Sequence, residues 1–166
     1  MFRFKCRACD EWHEGMPHIA AHAPLYYYGI PEPQRPVRCE LTSDTCIVDG
    51  EFFFVRGVIE VPVEGLDEAF GWGVWVSLSE AHFEEYVAHF EEPGRGELGP
   101  YFGWLSAAIA GYPDTENLKT QVHPREPGIR PLIELEPTDH PLAVEQRNGI
   151  DRARLTEIYE AALHRG

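Results

Sequence analysis

The residues best suited to chemistry lie near the start of the chain, where Cys6 and Cys9 form a Cys-x-x-Cys pair and His13 follows. Two thiolates three residues apart can bind one tetrahedral zinc ion from a tight turn, and a structural site needs two further ligands. Cys46, on a predicted strand close to a turn, is the expected fourth ligand, with Cys39 as the alternative partner. The sequence therefore predicts a structural zinc site at Cys6, Cys9, His13 and Cys46. The competing interpretation is small, buried and unreactive cysteines; a thioredoxin-like redox pair is disfavoured because no βαβ pattern surrounds the pair.

His18 and His22 are spaced four residues apart and could share one face of a helix that binds a metal ion. Pro17 and Pro24 leave room for only a short helix between them, and no third ligand is evident. We therefore expect these two histidines to have no metal-binding role.

A second concentration of polar side chains lies in the segment 118–150, where carboxylates surround His140. A histidine beside carboxylates can act as a general base or a metal ligand. The candidate catalytic residues are His140, Asp139, Glu136 and His123. The same cluster contains four further polar residues, Arg130, Glu134, Glu145 and Gln146. Against catalysis, Asp139 is typical of a turn and helix cap, and structural ion-pair networks gather the same residue types.

Four aromatic residues are candidates for a partner-binding surface or for the lining of an apolar pocket: Trp72, Trp75, Tyr101 and Trp104, with Phe102 beside them. Large aromatic side chains often anchor protein interfaces. The alternative is that most of them belong to the core, although tryptophan is often only partly buried.

The formal net charge is −14, from 28 acidic and 14 basic residues. Such a field repels phosphate backbones, and no cluster of Lys and Arg offsets it, which argues against nucleic-acid binding. A cationic protein partner would be attracted instead, although solubility alone is the simpler explanation of the charge.

The length of 166 residues and a hydrophobic content of 43% predict a single domain, residues 1–166, with a genuine core. The longest apolar runs are too short to cross a bilayer, and the first residues lack the apolar stretch of a signal peptide. We therefore expect a cytoplasmic protein whose four cysteines are reduced.

The middle of the chain is rich in β-branched and aromatic residues and predicts strands at 37–41, 45–48, 52–63 and 71–78. Asp49 and Gly50 are a hairpin-turn signal, because both positions tolerate positive φ. Gly57 indicates a bulge or a close approach of another backbone. The two tryptophans of the last strand are expected on opposite faces.

Helices and further strands alternate in the second half. Ser77 or Ser79 can cap a helix, and the run 101–110 predicts a short buried helix that ends at Gly111. Strands at 118–122 and 132–135 precede a short helix capped by Asp139 and a last helix capped by Asp151. Without regular βαβ alternation, these elements predict an α+β fold: two to four helices packed against a mostly antiparallel sheet, with the Cys-x-x-Cys turn at its N-terminus.

Several motifs together resemble a bacterial family catalogued as domain of unknown function 2199. They begin with Cys6-x-x-Cys9 and His13 and include the segments 44–49, 53–57, 60–62, 72–79, 100–106, 112–115, 122–123 and 134–143. The last of them, ELEPTDHPLA, is the most specific, and the resemblance covers nearly the whole chain. It implies no particular activity, and Cys39, His18 and His22 lie outside its pattern.

These features favour a non-enzymatic, zinc-stapled module that binds a protein partner through an acidic face with aromatic residues, for example as an immunity or toxin-neutralising factor. The alternative is a small metal-dependent or hydrolase-like enzyme that uses His140, Asp139, Glu136 and His123. Convergence of those four side chains in a concave pocket would favour the enzyme.

Overall fold

The computed structural model of the protein describes residues 2–164 and contains ten β-strands and five α-helices in that range. The strands are β1 (Arg3–Lys5), β2 (Trp12–Glu14), β3 (Ile19–Ala20), β4 (Cys39–Leu41), β5 (Thr45–Val48), β6 (Phe52–Val61), β7 (Phe70–Leu78), β8 (Tyr101–Leu105), β9 (Lys119–His123) and β10 (Leu132–Leu135). The helices are α1 (Leu25–Tyr28), α2 (Arg35–Arg38), α3 (Glu80–Ala88), α4 (Pro141–Asn148) and α5 (Arg152–Leu163).

Five strands close into a small barrel in the order β6, β7, β8, β9 and β10, with β10 pairing back to β6. The longest pairing is the antiparallel ladder of β6 with β7, which runs along Phe53–Val61. The barrel closes through a parallel contact in which Leu132 of β10 lies opposite Val58 of β6. The predicted α+β class is confirmed. The mostly antiparallel sheet that was predicted is not a simple sheet, because five of its strands close into a barrel through this parallel pairing. Alternating hydrophobic residues occur in open sheets and barrels alike, so the sequence pattern does not show closure.

The remaining strands extend this barrel. β5 and β4 continue the sheet beyond β6, and β3 pairs in parallel with β7. Between β5 and β6, Asp49 and Gly50 both have positive φ, 55° and 61°, which confirms the predicted hairpin turn. β1 and β2 form a separate two-stranded hairpin at the N-terminus.

Two clusters of buried side chains lie on either side of the β6–β7 ladder. The main core includes Val55, Ile59 and Trp72, together with apolar residues of α3, α4 and α5. The smaller core consists of Ile30, Cys46, Val48, Phe54 and Trp75. Trp72 and Trp75 therefore lie on opposite faces of β7, as predicted.

Gly57 lies where β6 meets β10. A Cβ atom at this position would lie 2.5 Å from Ile133 Cδ1 and 2.9 Å from the main-chain oxygen of Pro131. The close approach predicted from the sequence is therefore confirmed, and it occurs at the contact that closes the barrel.

Two predicted elements differ from the structure. The segment 101–110 is not a helix: its first half forms β8, in which every second side chain is buried. A short apolar run is compatible with either element, and here the barrel supplies strand partners on both sides. The predicted strand 37–41 is correct from residue 39 onward, where β4 lies, whereas Val37 and Arg38 form the end of α2. The helices also number five rather than two to four, because α1 and α2 are single turns of four residues.

Within residues 2–164, no helix combines the length and the apolar composition that crossing a lipid bilayer requires.

Candidate metal centre

The Cys-x-x-Cys pair lies in the turn of the β1–β2 hairpin. The Cys6 amide donates to the Glu11 main-chain oxygen, and the Asp10 amide donates to the Cys6 oxygen, each over 2.9 Å. Asp10 has a positive φ of 59°, which lets the chain reverse within a few residues. This turn places Cys9 on the same side as His13, which lies opposite Phe4 in the hairpin.

Helix α5 brings a further histidine to the same place. Asp151 caps the helix by accepting a hydrogen bond from the Arg154 amide, as predicted. Leu155, Ile158 and Tyr159 bury its apolar face. The helix ends at Leu163, and the next residue, His164, lies over the hairpin turn.

Cys6, Cys9, His13 and His164 form one group whose ligand atoms all lie within 4.8 Å of one another. Cys6 Sγ lies 3.0 Å from His164 Nε2, and Cys9 Sγ lies 3.3 Å from His13 Nε2. Zinc bonds of about 2.3 Å to sulfur and about 2.0–2.1 Å to nitrogen place tetrahedral ligand atoms about 3.3–3.8 Å apart. The group could therefore bind a metal ion with only small movements of its side chains.

The group is partly shielded from water. Cys6 is buried, Cys9 and His13 are half-buried, and His164 is exposed. The Glu11 main-chain amide lowers the pKa of Cys9, but burial and the neighbouring Cys6 thiol outweigh it and raise that pKa above its ordinary value. A bound cation would reverse this balance, since it stabilises the thiolate.

The predicted fourth ligand, Cys46, does not belong to this group. It lies on β5 in the smaller core, buried with Phe54 and Trp75, and burial raises the pKa of its thiol to about 12. Cys39 lies on the edge strand β4, opposite Val48, and packs against the same core; burial also raises its pKa. These two thiols fit the interpretation of core cysteines rather than that of ligands. His164 was not predicted as a ligand, and its one signal in the sequence is its place directly after a well-patterned helix.

His18 and His22 do not form a comparable group of ligand atoms in residues 2–164. His18 packs over Gly71 of β7, where a Cβ atom would lie 2.7 Å from the His18 ring. His22 is exposed, and neither residue belongs to a group of potential metal ligands in residues 2–164.

The four candidate catalytic residues do not converge. His123 Nε2 lies 3.0 Å from Glu134 Oε1 in an exposed pair on β9 and β10. His140, rather than Asp139, caps α4: its Nδ1 accepts from the Leu142 amide, and its Nε2 lies 3.2 Å from two main-chain oxygens. Both ring nitrogens of His140 therefore have hydrogen-bond partners in the main chain.

The remaining two candidates are exposed. Glu136 and Asp139 lie at the surface after β10, and no hydrogen bond joins either side chain to His123 or His140. The specific 134–143 motif thus builds the β10–α4 connection. Gln146 of α4 completes that connection by bonding the main chain of Leu135 and of Ile133 over 2.8 Å each.

Three of the four predicted surface aromatics are in the core. Trp72, Trp75 and Tyr101 are buried. Trp72 and Tyr101 belong to the main core and Trp75 to the smaller one, because both faces of β7 are covered. Trp104 is 43% exposed and meets Phe102, 41% exposed, edge to face with ring centroids 5.1 Å apart. Of the five aromatic residues singled out from the sequence, Trp104 and Phe102 are thus the exposed ones, on the outside of β8.

The chain belongs to the bacterial family DUF2199, described as an uncharacterized protein conserved in bacteria, whose family model matches residues 5–150. This confirms the resemblance found in the motifs. The matched range contains Cys6, Cys9 and His13 and ends before α5 and His164. No curated protein and no solved structure matches the chain.

Proposed function

We propose that this member of the DUF2199 family is a binding module whose two chain ends are held together by a structural zinc ion at Cys6, Cys9, His13 and His164. The observation that supports the proposal is the approach of two thiols and two imidazoles within 4.8 Å. Four ligands complete a tetrahedron, and zinc sites of this closed type are structural because no position remains for water or substrate.

Zinc is favoured over other cations by the chemistry of the ligands. Thiolate and imidazole together select zinc, whereas calcium, magnesium and manganese prefer oxygen ligands. No carboxylate belongs to the group.

The β1–β2 hairpin is the element that a bound metal ion would stabilise most. β1 and β2 have three residues each, and an isolated two-stranded hairpin is at best marginally stable in water. Phe4 anchors one side by stacking on Tyr159 of α5, with ring centroids 6.1 Å apart. A zinc ion shared with His164 would fix the other side, where the Cys-x-x-Cys turn lies.

Cobalt titration of the reduced, metal-free protein tests this site. Tetrahedral Co²⁺ bound by two thiolates gives visible d–d bands and a thiolate charge-transfer band, and one equivalent of Zn²⁺ should abolish both. Cys9→Ser should weaken the charge-transfer band strongly. Cys46→Ser, the same substitution at a core cysteine, should leave the spectrum unchanged. Absence of tetrahedral bands, or equal losses in the two variants, would contradict the proposal.

The binding surface we assign is a recess of about 160 Å³ beside the exposed Phe102–Trp104 pair. Phe102 lines it together with Glu134 and Glu136, and Lys119 is its one basic lining residue. Two carboxylates next to an aromatic face suit a Lys or Arg side chain, which gains both charge pairing and a cation–π contact. The net charge of −14 would attract such a cationic partner over longer distances.

A comparison of two phenylalanines tests this surface. Phe102 and Phe52 are 41% and 38% exposed, and Phe52 lies in a ring pair of its own with Tyr26 at 5.0 Å. Phe102→Ala should abolish capture of a basic partner from the native host's lysate, and raised salt should weaken it. Phe52→Ala should retain the partner. Capture of no partner, or equal capture by both variants, would contradict the assignment.

A further inference from the structure

Three arginines that are distant in the sequence line one recess of about 650 Å³: Arg95, Arg125 and Arg130. This arginine recess also has lining residues from helix α3, from strand β6 and from the loop that joins β9 to β10. It shares no lining residue with the metal centre or with the aromatic recess. The fold thus gathers guanidinium groups in one place on a chain whose net charge is −14.

Arg95 is a buried cation without a direct counter-ion. It is only 4% exposed, and its guanidinium donates to the main-chain oxygens of Phe90, Arg125 and Ile129. Within residues 2–164, no carboxylate forms an ion pair with it; the neighbouring Glu126 carboxylate is bound instead by two glycine amides, at 2.7 Å and 3.0 Å. Buried charges in proteins are normally paired, so Arg95 leaves positive charge beside the recess that an anion would compensate.

Arg125 and Arg130 supply donors that a ligand can reach, because their side chains are 30% and 42% exposed. Arg125 pairs with Glu60 at 2.8 Å, and Arg130 pairs with Asp44 at 3.2 Å. The Arg125 Nε also donates to the main-chain oxygen of Arg130 over 2.7 Å. One amino group of Arg125 and both amino groups of Arg130 make no hydrogen bond to residues 2–164. These groups are therefore available to an oxyanion.

Arg56 adds a fourth guanidinium next to the recess. It donates to the main-chain oxygen of Ser43 over 3.3 Å, directly before the Asp44 that pairs with Arg130. Burial and then the like charge of Arg130 lower the pKa of Arg56. The third carboxylate of the lining, Glu91, is exposed and forms no ion pair with these arginines within the described residues. An anion between the arginines would relieve this repulsion.

The size of the recess and its other lining residues indicate what such an anion would carry. A volume of about 650 Å³ is far larger than an inorganic ion needs and lies within the usual range of small-molecule pockets. Val58, Tyr86 and Phe90 offer apolar surface to the rest of a ligand. One arginine fork satisfies the two oxygens of a carboxylate, whereas the three terminal oxygens of a phosphate group can accept from two forks at once.

We propose that the arginine recess binds a small phosphate monoester with an apolar or aromatic body, whose phosphate oxygens accept hydrogen bonds from Arg125 and Arg130. Arg95 contributes its charge from behind the recess without having to touch the ligand. This site goes beyond the metal centre and the aromatic recess and depends on neither of them.

Phenyl phosphate is a suitable probe, with phenol and benzoate as its controls. Phenol lacks the anion, and benzoate carries a planar anion with two oxygens. Calorimetric titration of the full-length protein as purified, in a chloride buffer free of phosphate, gives the three affinities. Phenyl phosphate should bind saturably at one site per chain and more weakly as salt is raised. It should bind at least about tenfold more tightly than benzoate, the value of one further charge-assisted hydrogen bond, and phenol should not bind.

Two arginines provide the matched control. Arg130 and Arg38 each pair with one aspartate and are 42% and 36% exposed, but Arg38 does not line the recess. Arg130→Gln should weaken the binding of phenyl phosphate at least about tenfold, whereas Arg38→Gln, which changes the net charge equally, should leave it within about twofold. The proposal is overturned if phenyl phosphate does not bind, if phenol or benzoate binds as tightly, or if the two variants lose affinity equally.

Discussion

His164→Gln removes the ligand that joins the C-terminal helix to the N-terminal hairpin. In the structure His164 is one of four ligands, and its Nε2 lies 3.0 Å from Cys6 Sγ. Further links between α5 and the N-terminal segment stay intact, among them the Arg7–Glu160 pair, the Tyr159–Pro17 hydrogen bond and the stacking of Phe4 on Tyr159. The variant therefore tests the metal ligand rather than the docking of the helix.

The size of the effect follows from linkage. Loss of an outer-shell partner alone typically weakens metal affinity 10- to 100-fold, so loss of a direct ligand should cost at least about 100-fold. At a free zinc concentration of about 100 times the wild-type Kd, bound metal stabilises the fold by about 2.7 kcal/mol. The same free zinc concentration equals the Kd of the variant, so bound metal stabilises the variant by only about 0.4 kcal/mol. The difference of about 2.3 kcal/mol corresponds to about 5–9 °C in Tm for a chain of this size.

Thermal unfolding at fixed free zinc, with and without chelator, measures this difference. His22→Gln is the matched control, because His22 is exposed and lies outside the ligand group. Wild type and His22→Gln should lose several degrees when zinc is removed, and His164→Gln should lose almost none. An equal zinc-dependent shift in His164→Gln and wild type would refute the role of His164.

Three further predictions concern the fold. Trp75→Ala should lower the free energy of unfolding in urea by about 3–5 kcal/mol because Trp75 is buried. Trp104→Ala should change it by less than about 0.5 kcal/mol because Trp104 is exposed. Similar losses in the two variants would refute the assignment of Trp104 to the surface. The bidentate contact with Arg38 lowers the pKa of the Asp49 carboxyl. The ion pair therefore stabilises the fold at pH values above the ordinary aspartate pKa, and this stabilisation is lost as the pH falls through the lowered pKa of Asp49. The urea midpoints of wild type and Asp49→Asn should therefore differ at pH 7 and converge in acid; a constant difference would contradict this. Gly57→Ala should cost about 1–3 kcal/mol in denaturant unfolding, because the new methyl group meets β10 at 2.5 Å, and a neutral result would contradict that close approach.

The parts of the structure that local sequence predicted are those set by neighbouring residues. The Asp49-Gly50 turn, the Ser79 and Asp151 caps and the Cys-x-x-Cys turn each depend on a few consecutive positions.

The parts that local sequence did not predict depend on contacts between distant segments. Closure of the barrel requires β10 to pair with β6, and nothing in either strand specifies that partner. The apolar run 101–110 predicts a short buried helix, but β8 forms there because β7 and β9 flank it as strand partners.

The fourth ligand illustrates the same limit. Cys46 was chosen by residue type, but its strand faces the smaller core, and the actual partner, His164, is contributed by the last helix. Ligand type alone cannot distinguish a cysteine in a core from one beside a metal, because both favour burial.

The central claim is tested most directly by the zinc content of the untagged protein purified without chelator, measured together with a count of reactive thiols in the native state. We predict one zinc per chain in wild type and in Cys46→Ser, with the Cys6 and Cys9 thiols protected until the metal is removed. His164→Gln should lose most of the metal. Protein without zinc and with freely reactive Cys6 and Cys9, or zinc that is lost on substitution of Cys46 and kept on substitution of His164, would contradict the account.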